Sequence, residues 1–210
     1  MLSYLMKTLD GVHRPLSFEL REAIAGIVQH ANFRKGEYLL KPRQTCNYLY
    51  FVQSGLVRAY EKVENGEITH WFMQEGDMIT APESFFNQVP SDEYVQALED
   101  VEVYYISYEE TMRLVAEYRE FLLIYAILMV RYYLKSIQRE RGLRRSAAIR
   151  FASFAVNHPE LAKRVPQKYI ASFLGMTERT YGQVKKGSTF RPWVLLSLIY
   201  MQLLSFFHWR

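Results

Sequence analysis

Cysteine is nearly missing from this chain. Cys46 stands alone among 210 residues, which excludes an internal disulfide framework and any cluster held by four thiolates. Histidine is sparse as well: His13, His30, His70, His158 and His208 are scattered without metal-ligand spacing, so no metal is expected. The amino-terminal stretch MLSYLMKTLDGVHRPLSFELREAI has no basic region leading into a long apolar run and a small-residue cleavage site. It reads as helix and turn in a cytoplasmic protein, not as a signal peptide. No nucleophile–base pair and no phosphate-cradling glycine loop can be picked out, so no catalytic residue is named and an enzyme is not expected.

Acidic residues fade out along the chain. Residues 1–130 carry 11 Lys+Arg against 19 Asp+Glu, whereas residues 131–191 carry 14 against 3. An acidic body joined to a basic final third implies two tasks, the second with a polyanionic partner such as double-stranded DNA.

The acidic part reads as β. YLYFVQSG (48–55), LVRAYEKV (56–63), ITHWFMQ (68–74) and VEVYYIS (101–107) are short and rich in β-branched and aromatic residues. Asn65-Gly66 between two such runs predicts a type I′ hairpin turn. Turns at this spacing predict a sandwich or small barrel, with helical patterns flanking it at 17–30 and 108–118. After Phe121 the period changes: Leu123, Ile127, Val130, Leu134 and Ile137 follow the four-three spacing of a coiled-coil seam. That seam predicts a homodimer; a core helix of a monomer is the plainer alternative. Gly142, inside QRERGLRR (138–145), reads as a helix break, which puts a domain boundary near 140–146.

From Ser146 an amphipathic helix is expected to stop at Asn157-His158-Pro159. A helix is predicted to start at Val165-Pro166, with Ile170, Phe173 and Leu174 as its buried side. Gly175 supplies a turn and Thr177 a cap for a second helix whose Val184 returns to the core. Two short helices, a glycine turn and small Ala171 at the crossing read as a helix-turn-helix. Glu178, Arg179 and Gln183 have the chemistry to read base edges. Gln167, Lys168, Thr177, Thr180, Lys185 and Lys186 suit phosphates, the alternative for all nine being a solvated helix face.

On these residues the chain resembles the Crp–Fnr family of bacterial transcription regulators, over about residues 15–187. QKYIASFLGMTERTYGQVKK (167–186) carries the resemblance, with GDMI (76–79) and YVQALEDVEVYYIS (94–107) beside it. The resemblance implies an α+β protein: a cyclic-nucleotide-binding-like jelly-roll sensor over 1–118 and a dimerisation helix over 119–142. A helix-turn-helix domain over 143–187 and an atypical hydrophobic tail over 188–210 follow. It also implies DNA binding as a homodimer, contact with transcription machinery and control by a small-molecule effector. Where the family's cyclic-nucleotide binders hold a phosphate, this chain offers Thr80, Ala81 and nearby Glu83, then Ser91 and Asp92. An acidic residue in place of a cation argues against cAMP. The effector is therefore unknown and no cofactor is named; the roll binds another molecule or serves only as dimer scaffold.

The tail departs from the family, which usually continues into a β-hairpin wing. Residues 192–209 form an uncharged run with Trp193 and Trp209 near its ends. A packed helix, a membrane anchor and a segment foreign to the family remain open, the packed helix being preferred. A membrane partner is not expected. The alternative function is a ligand-binding regulatory module whose basic third contacts a protein or a membrane surface.

Overall fold

The computed structural model describes residues 2–188. The readings of the hydrophobic tail and of the missing wing fall on residues 189–210, outside the described residues. Among the described residues, no helix is long and apolar enough to cross a membrane. The chain divides into two compact units, Met1–Lys135 and Ser136–Arg210.

The first unit opens with α1 (Ser3–Asp10) and α2 (Phe18–Ile27), continues through eight strands and closes on α4 (Tyr108–Glu117) and the start of α5 (Arg119–Leu143). The strands are β1 (Gln29–Phe33), β2 (Tyr38–Leu40), β3 (Tyr48–Ser54), β4 (Val57–Val63), β5 (Gly66–Met73), β6 (Met78–Ile79), β7 (Tyr94–Ala97) and β8 (Val101–Ser107). A short α3 (Pro82–Asn87) separates β6 from β7. All pairings are antiparallel, in two sheets ordered β1-β8-β3-β6 and β2-β7-β4-β5. Each strand places alternate residues on opposite faces, so Val52 and Val103, paired across β3 and β8, enter one apolar cluster with Val57, Val95 and Ala97 of the other sheet. This is the sandwich that the strand-and-turn pattern implies.

The hairpin between β4 and β5 differs in detail from expectation. Val63 pairs with Gly66, so the turn residues are Glu64 and Asn65. Positive φ falls on Gly66 at +137°, while among the described non-glycine residues only Arg43 and Gln88 have it. The one-residue shift puts the demanding conformation on the residue without a Cβ, and the type I′ turn is not needed.

Helix α5 is anchored to the first unit at several points. Phe121, Ile124 and Tyr125 are buried. The Glu120 carboxylate accepts from the Ser17 N–H at 3.1 Å, and the Ser17 hydroxyl in turn caps α2 by accepting from Leu20 N–H. Further along, the Tyr132 hydroxyl accepts from the Met78 N–H at 3.1 Å and donates to the Met78 carbonyl at 2.5 Å. One phenol thus satisfies both backbone groups of a strand residue, and Trp71 packs edge-on against its ring. Gly142 does not break α5, which runs to Leu143; a glycine weakens a helix interior by only about 1 kcal/mol. The division between units falls inside α5, upstream of the expected boundary.

The second unit contains the last turns of α5, then α6 (Ala147–Asn157), α7 (Pro159–Arg164), α8 (Gln167–Phe173) and α9 (Glu178–Ser188). Ser146 caps α6 through the Ile149 N–H, and the helix ends at Asn157 before Pro159. Pro159 then starts α7, a helix the sequence pattern does not announce. Pro166 takes the N-cap position of α8.

Gly55 sets the path between β3 and β4. Its φ is +97°, and a Cβ there would stand 2.4 Å from the Asp100 carbonyl oxygen. Gly55→Ala is therefore expected to destabilise the chain by about 3 kcal/mol or more. Urea unfolding checks this: the midpoint drops, and an unchanged midpoint would mean the loop at Asp100 yields freely.

Candidate functional site

Helices α8 and α9 meet at a turn closed by two backbone hydrogen bonds. Met176 N–H donates to the Ala171 carbonyl and Gly175 N–H to the Ser172 carbonyl, both at 3.0 Å. These are the two bonds of a Schellman motif, with Gly175 at φ +61° in the left-handed position. Thr177 then caps α9, its Oγ1 accepting from the Thr180 N–H at 3.1 Å and pairing with the Thr180 hydroxyl at 2.9 Å. Ile170, Ala171 and Leu174 are buried. Tyr181 is 3% exposed and meets the Phe151 ring edge-on at 5.3 Å between centroids.

Burying Tyr181 fixes the helix's outward face. Residues 179, 183 and 186 share one side of a 3.6-residue helix, and Arg179, Gln183 and Lys186 are all exposed. Glu178 and Lys185 are exposed on the flanks, Thr177 is exposed at the cap, and Thr180 and Val184 are half-buried. Gln167 and Lys168 are exposed at the start of α8, with the Lys168 ammonium 4.7 Å from the Tyr169 ring centroid. Over residues 136–188 there are eleven Lys and Arg against three Asp and Glu. Two of those carboxylates, Glu140 and Glu160, lie beside Arg144 and Lys163 on the surface. The surface around α9 is left strongly cationic.

The α5 seam divides by exposure. Leu123, Val130 and Leu134 are 40–55% exposed. Ile127 instead leans on the core of the first unit, and Ile137 is half-buried in the second. Exposed Leu122 and Tyr133 widen the apolar stripe beyond the sequence-predicted set.

The proposed effector residues lie around the link from β6 through α3 to β7. Ala81 and Ser91 are buried, Thr80 is half-buried, and Glu83 and Asp92 are exposed. The Ser91 hydroxyl accepts from the Glu93 N–H at 3.0 Å, and the Thr80 hydroxyl lies 3.7 Å from the Cys46 sulfur. Burial, and then the like charges of Glu61 and Glu83, push the Glu93 carboxyl above the ordinary carboxylate range. Glu61 and Glu83 thus add negative charge to the surroundings of Glu93. The buried Arg58 guanidinium bonds Thr69 at 2.9 Å and Glu67 at 2.6 Å and stacks on Tyr60 at 3.9 Å. Glu93, Arg58 and Tyr132 were not singled out from sequence. The period-two alternation past buried Val95 and Ala97 was the available signal for Glu93.

The folded chain holds the Glu93 proton more tightly than the unfolded chain does. Stability from this group is fully present below the ordinary carboxylate range and is lost as pH rises through the raised value. Glu93→Gln is expected to raise the melting temperature at roughly pH 7 and to change it little at roughly pH 4. Thermal melts at the two pH values decide; a lowered melting temperature at neutral pH would contradict the burial of an ionisable carboxyl.

Residues 30–118 match the cyclic nucleotide-binding domain family. No curated protein matches the chain. The fold is similar to that of FixK2 from Bradyrhizobium japonicum, with TM-score 0.66 and 17% identity over 77% of this chain and 84% of that one. A mutant of CooA from Carboxydothermus hydrogenoformans gives TM-score 0.66 and 22% identity over 89% and 84%. The c-di-GMP-responsive global regulator CLP from Xanthomonas campestris gives 0.65 and 16% over 82% and 92%. Residues 30–118 thus match a cyclic nucleotide-binding domain, and the chain shares the α+β fold of these solved structures.

Proposed function

We propose that the protein is a cytoplasmic, homodimeric DNA-binding transcription regulator that reads a pseudo-palindromic site through α9. The observation that carries this reading is the outward face of Arg179, Gln183 and Lys186 above a buried Tyr181 and a Schellman turn. A rigid two-helix unit with an exposed cationic second helix fits a major groove. Arg179 is the candidate for bidentate contact with guanine and Gln183 for contact with adenine. Glu178, at the first turn of α9, can accept from cytosine. Gln167, Lys168, Thr177, Thr180, Lys185 and Lys186 serve the phosphates and set register.

The exposed stripe of Leu123, Val130 and Leu134 supports a partner of the same kind, each α5 covering the other. Two copies of α9 would then enter major grooves about one helical turn apart. The sensor is proposed to take an effector other than cAMP, because Asp92 stands where the family resemblance puts a cation and the like charges of Glu61 and Glu83 act on nearby Glu93. Contact with the transcription machinery follows from the regulatory role.

Selection of duplexes from a random pool by the purified protein is the test, and a pseudo-palindrome is the expected winner. On the selected site, Arg179→Ala should cost about 1–3 kcal/mol and relax preference at one base position. Lys186→Ala should weaken all sequences alike and lower the slope of log K against log salt by about 1. Binding titrations in graded salt report both quantities. If neither substitution changes binding, the assigned roles of α9 are wrong.

A further inference from the structure

Two arginines outside the proposed DNA contacts converge on the backbone of the turn between α8 and α9. Arg150 of α6 donates from Nη1 to the Leu143 carbonyl at 2.7 Å and from Nη2 to the Gly175 carbonyl at 3.3 Å. Leu143 is the last residue of α5, and Gly175 lies two residues ahead of the Thr177 cap of α9. Arg139, on α5 itself, donates from Nη2 to the Phe173 carbonyl at 3.4 Å, with its guanidinium 5.1 Å from the Phe173 ring centroid. The contact is also steric: a Cβ on Gly175 would lie 3.0 Å from Leu143 Cδ2.

The chemistry suits a clamp. The last carbonyls of a helix lack intrahelical partners and carry partial negative charge. Leu143 presents such a group at the end of α5, and Phe173 and Gly175 present two more where α8 gives way to the turn. A guanidinium is a planar fork with several fixed donors, so one Arg150 side chain can bridge two of these carbonyls and hold them at a set distance. An ammonium is a single point charge without that geometry.

We infer that Arg150 is a positioning residue that locks the start of α9 to the end of α5 and thereby sets the half-site spacing a dimer accepts. The inference rests on the DNA-reading function proposed above. Half-site separation depends on how rigidly each α9 is held to the helix through which the copies pair. Avidity between two linked readers is gained only when both engage at once. A loosened clamp leaves each α9 able to read its half-site while widening the range of separations the pair can reach.

The test uses the full chain, the selected duplex, versions of it with one base pair inserted or deleted between half-sites, and a duplex with a single half-site. The wild-type protein should prefer the selected spacing by roughly tenfold or more over either neighbour. Arg150→Gln should flatten that preference to within about threefold, with the single half-site bound within about threefold of wild type. Arg150→Lys should fall between the two, because it can reach one carbonyl and not both. Sedimentation should still show a dimer for both variants.

A spacing preference retained in both variants would overturn the inference. So would an equal loss of affinity for the single half-site and for every spacing, which is the signature of a merely structural role. If Arg150→Gln melts below the assay temperature, the spacing profile of Arg150→Lys decides alone. A wild-type protein that binds duplexes without spacing preference overturns this inference and leaves DNA reading standing. A wild-type protein that binds no duplex overturns both.

Discussion

Tyr181 lies under α9 against Phe151, almost wholly removed from solvent, and with half-buried Val184 it determines which side of an eleven-residue helix meets water. The remaining properties of the second unit depend on that anchoring. With the apolar side held down, helical periodicity turns Arg179, Gln183 and Lys186 outward together. The Schellman turn supplies the other half of the constraint, because it leaves no choice in where α9 begins. A cationic surface alone would attract any polyanion. Its placement on a helix with a fixed origin and a fixed roll is what makes base reading a reasonable use for it.

The first unit performs a different kind of work. Its two sheets bury a shared apolar cluster, and α5 is fastened to it by Glu120 at one end and Tyr132 further along. The Tyr132 bond is made to Met78 on β6, which leads directly to Thr80, Ala81 and α3. The segment that would sense an effector therefore adjoins a backbone group held by the helix proposed to carry the dimer. The like charges of Glu61 and Glu83 beside Glu93 make the surroundings of that segment acidic.

Much of this was legible in the sequence for physical reasons that can be named. Strands β3 and β8 sit on YLYFVQS and VEVYYIS, short runs whose β-branched and aromatic residues suit a pleated, half-buried surface. The cap at Thr177 and the turn at Gly175 were readable because both depend on local backbone chemistry. Charge segregation located the basic unit. Features that depend on distant partners were not readable. Gly142 looks like a break, yet the helix continues through it to Leu143. The turn at Glu64 and Asn65 shifts by one residue to suit the pairing of β4 with β5. Arg58 looks like an ordinary surface charge until β4 and β5 bury it beside Thr69 and Glu67, and Glu93 until partial burial raises its carboxyl pKa. Arg150 belongs to the same class, since its two carbonyl partners lie seven and twenty-five residues away.

The most direct measurement of the central claim is methylation protection of guanine N7 on a selected duplex. Guanine N7 lies in the major groove, and a helix seated there shields it. Two protected clusters are expected on one face of the duplex, about 10 base pairs apart, each lost in part when Arg179 is replaced by alanine. Guanines that stay fully reactive in a duplex saturated with the protein would contradict the seating of α9 in the groove.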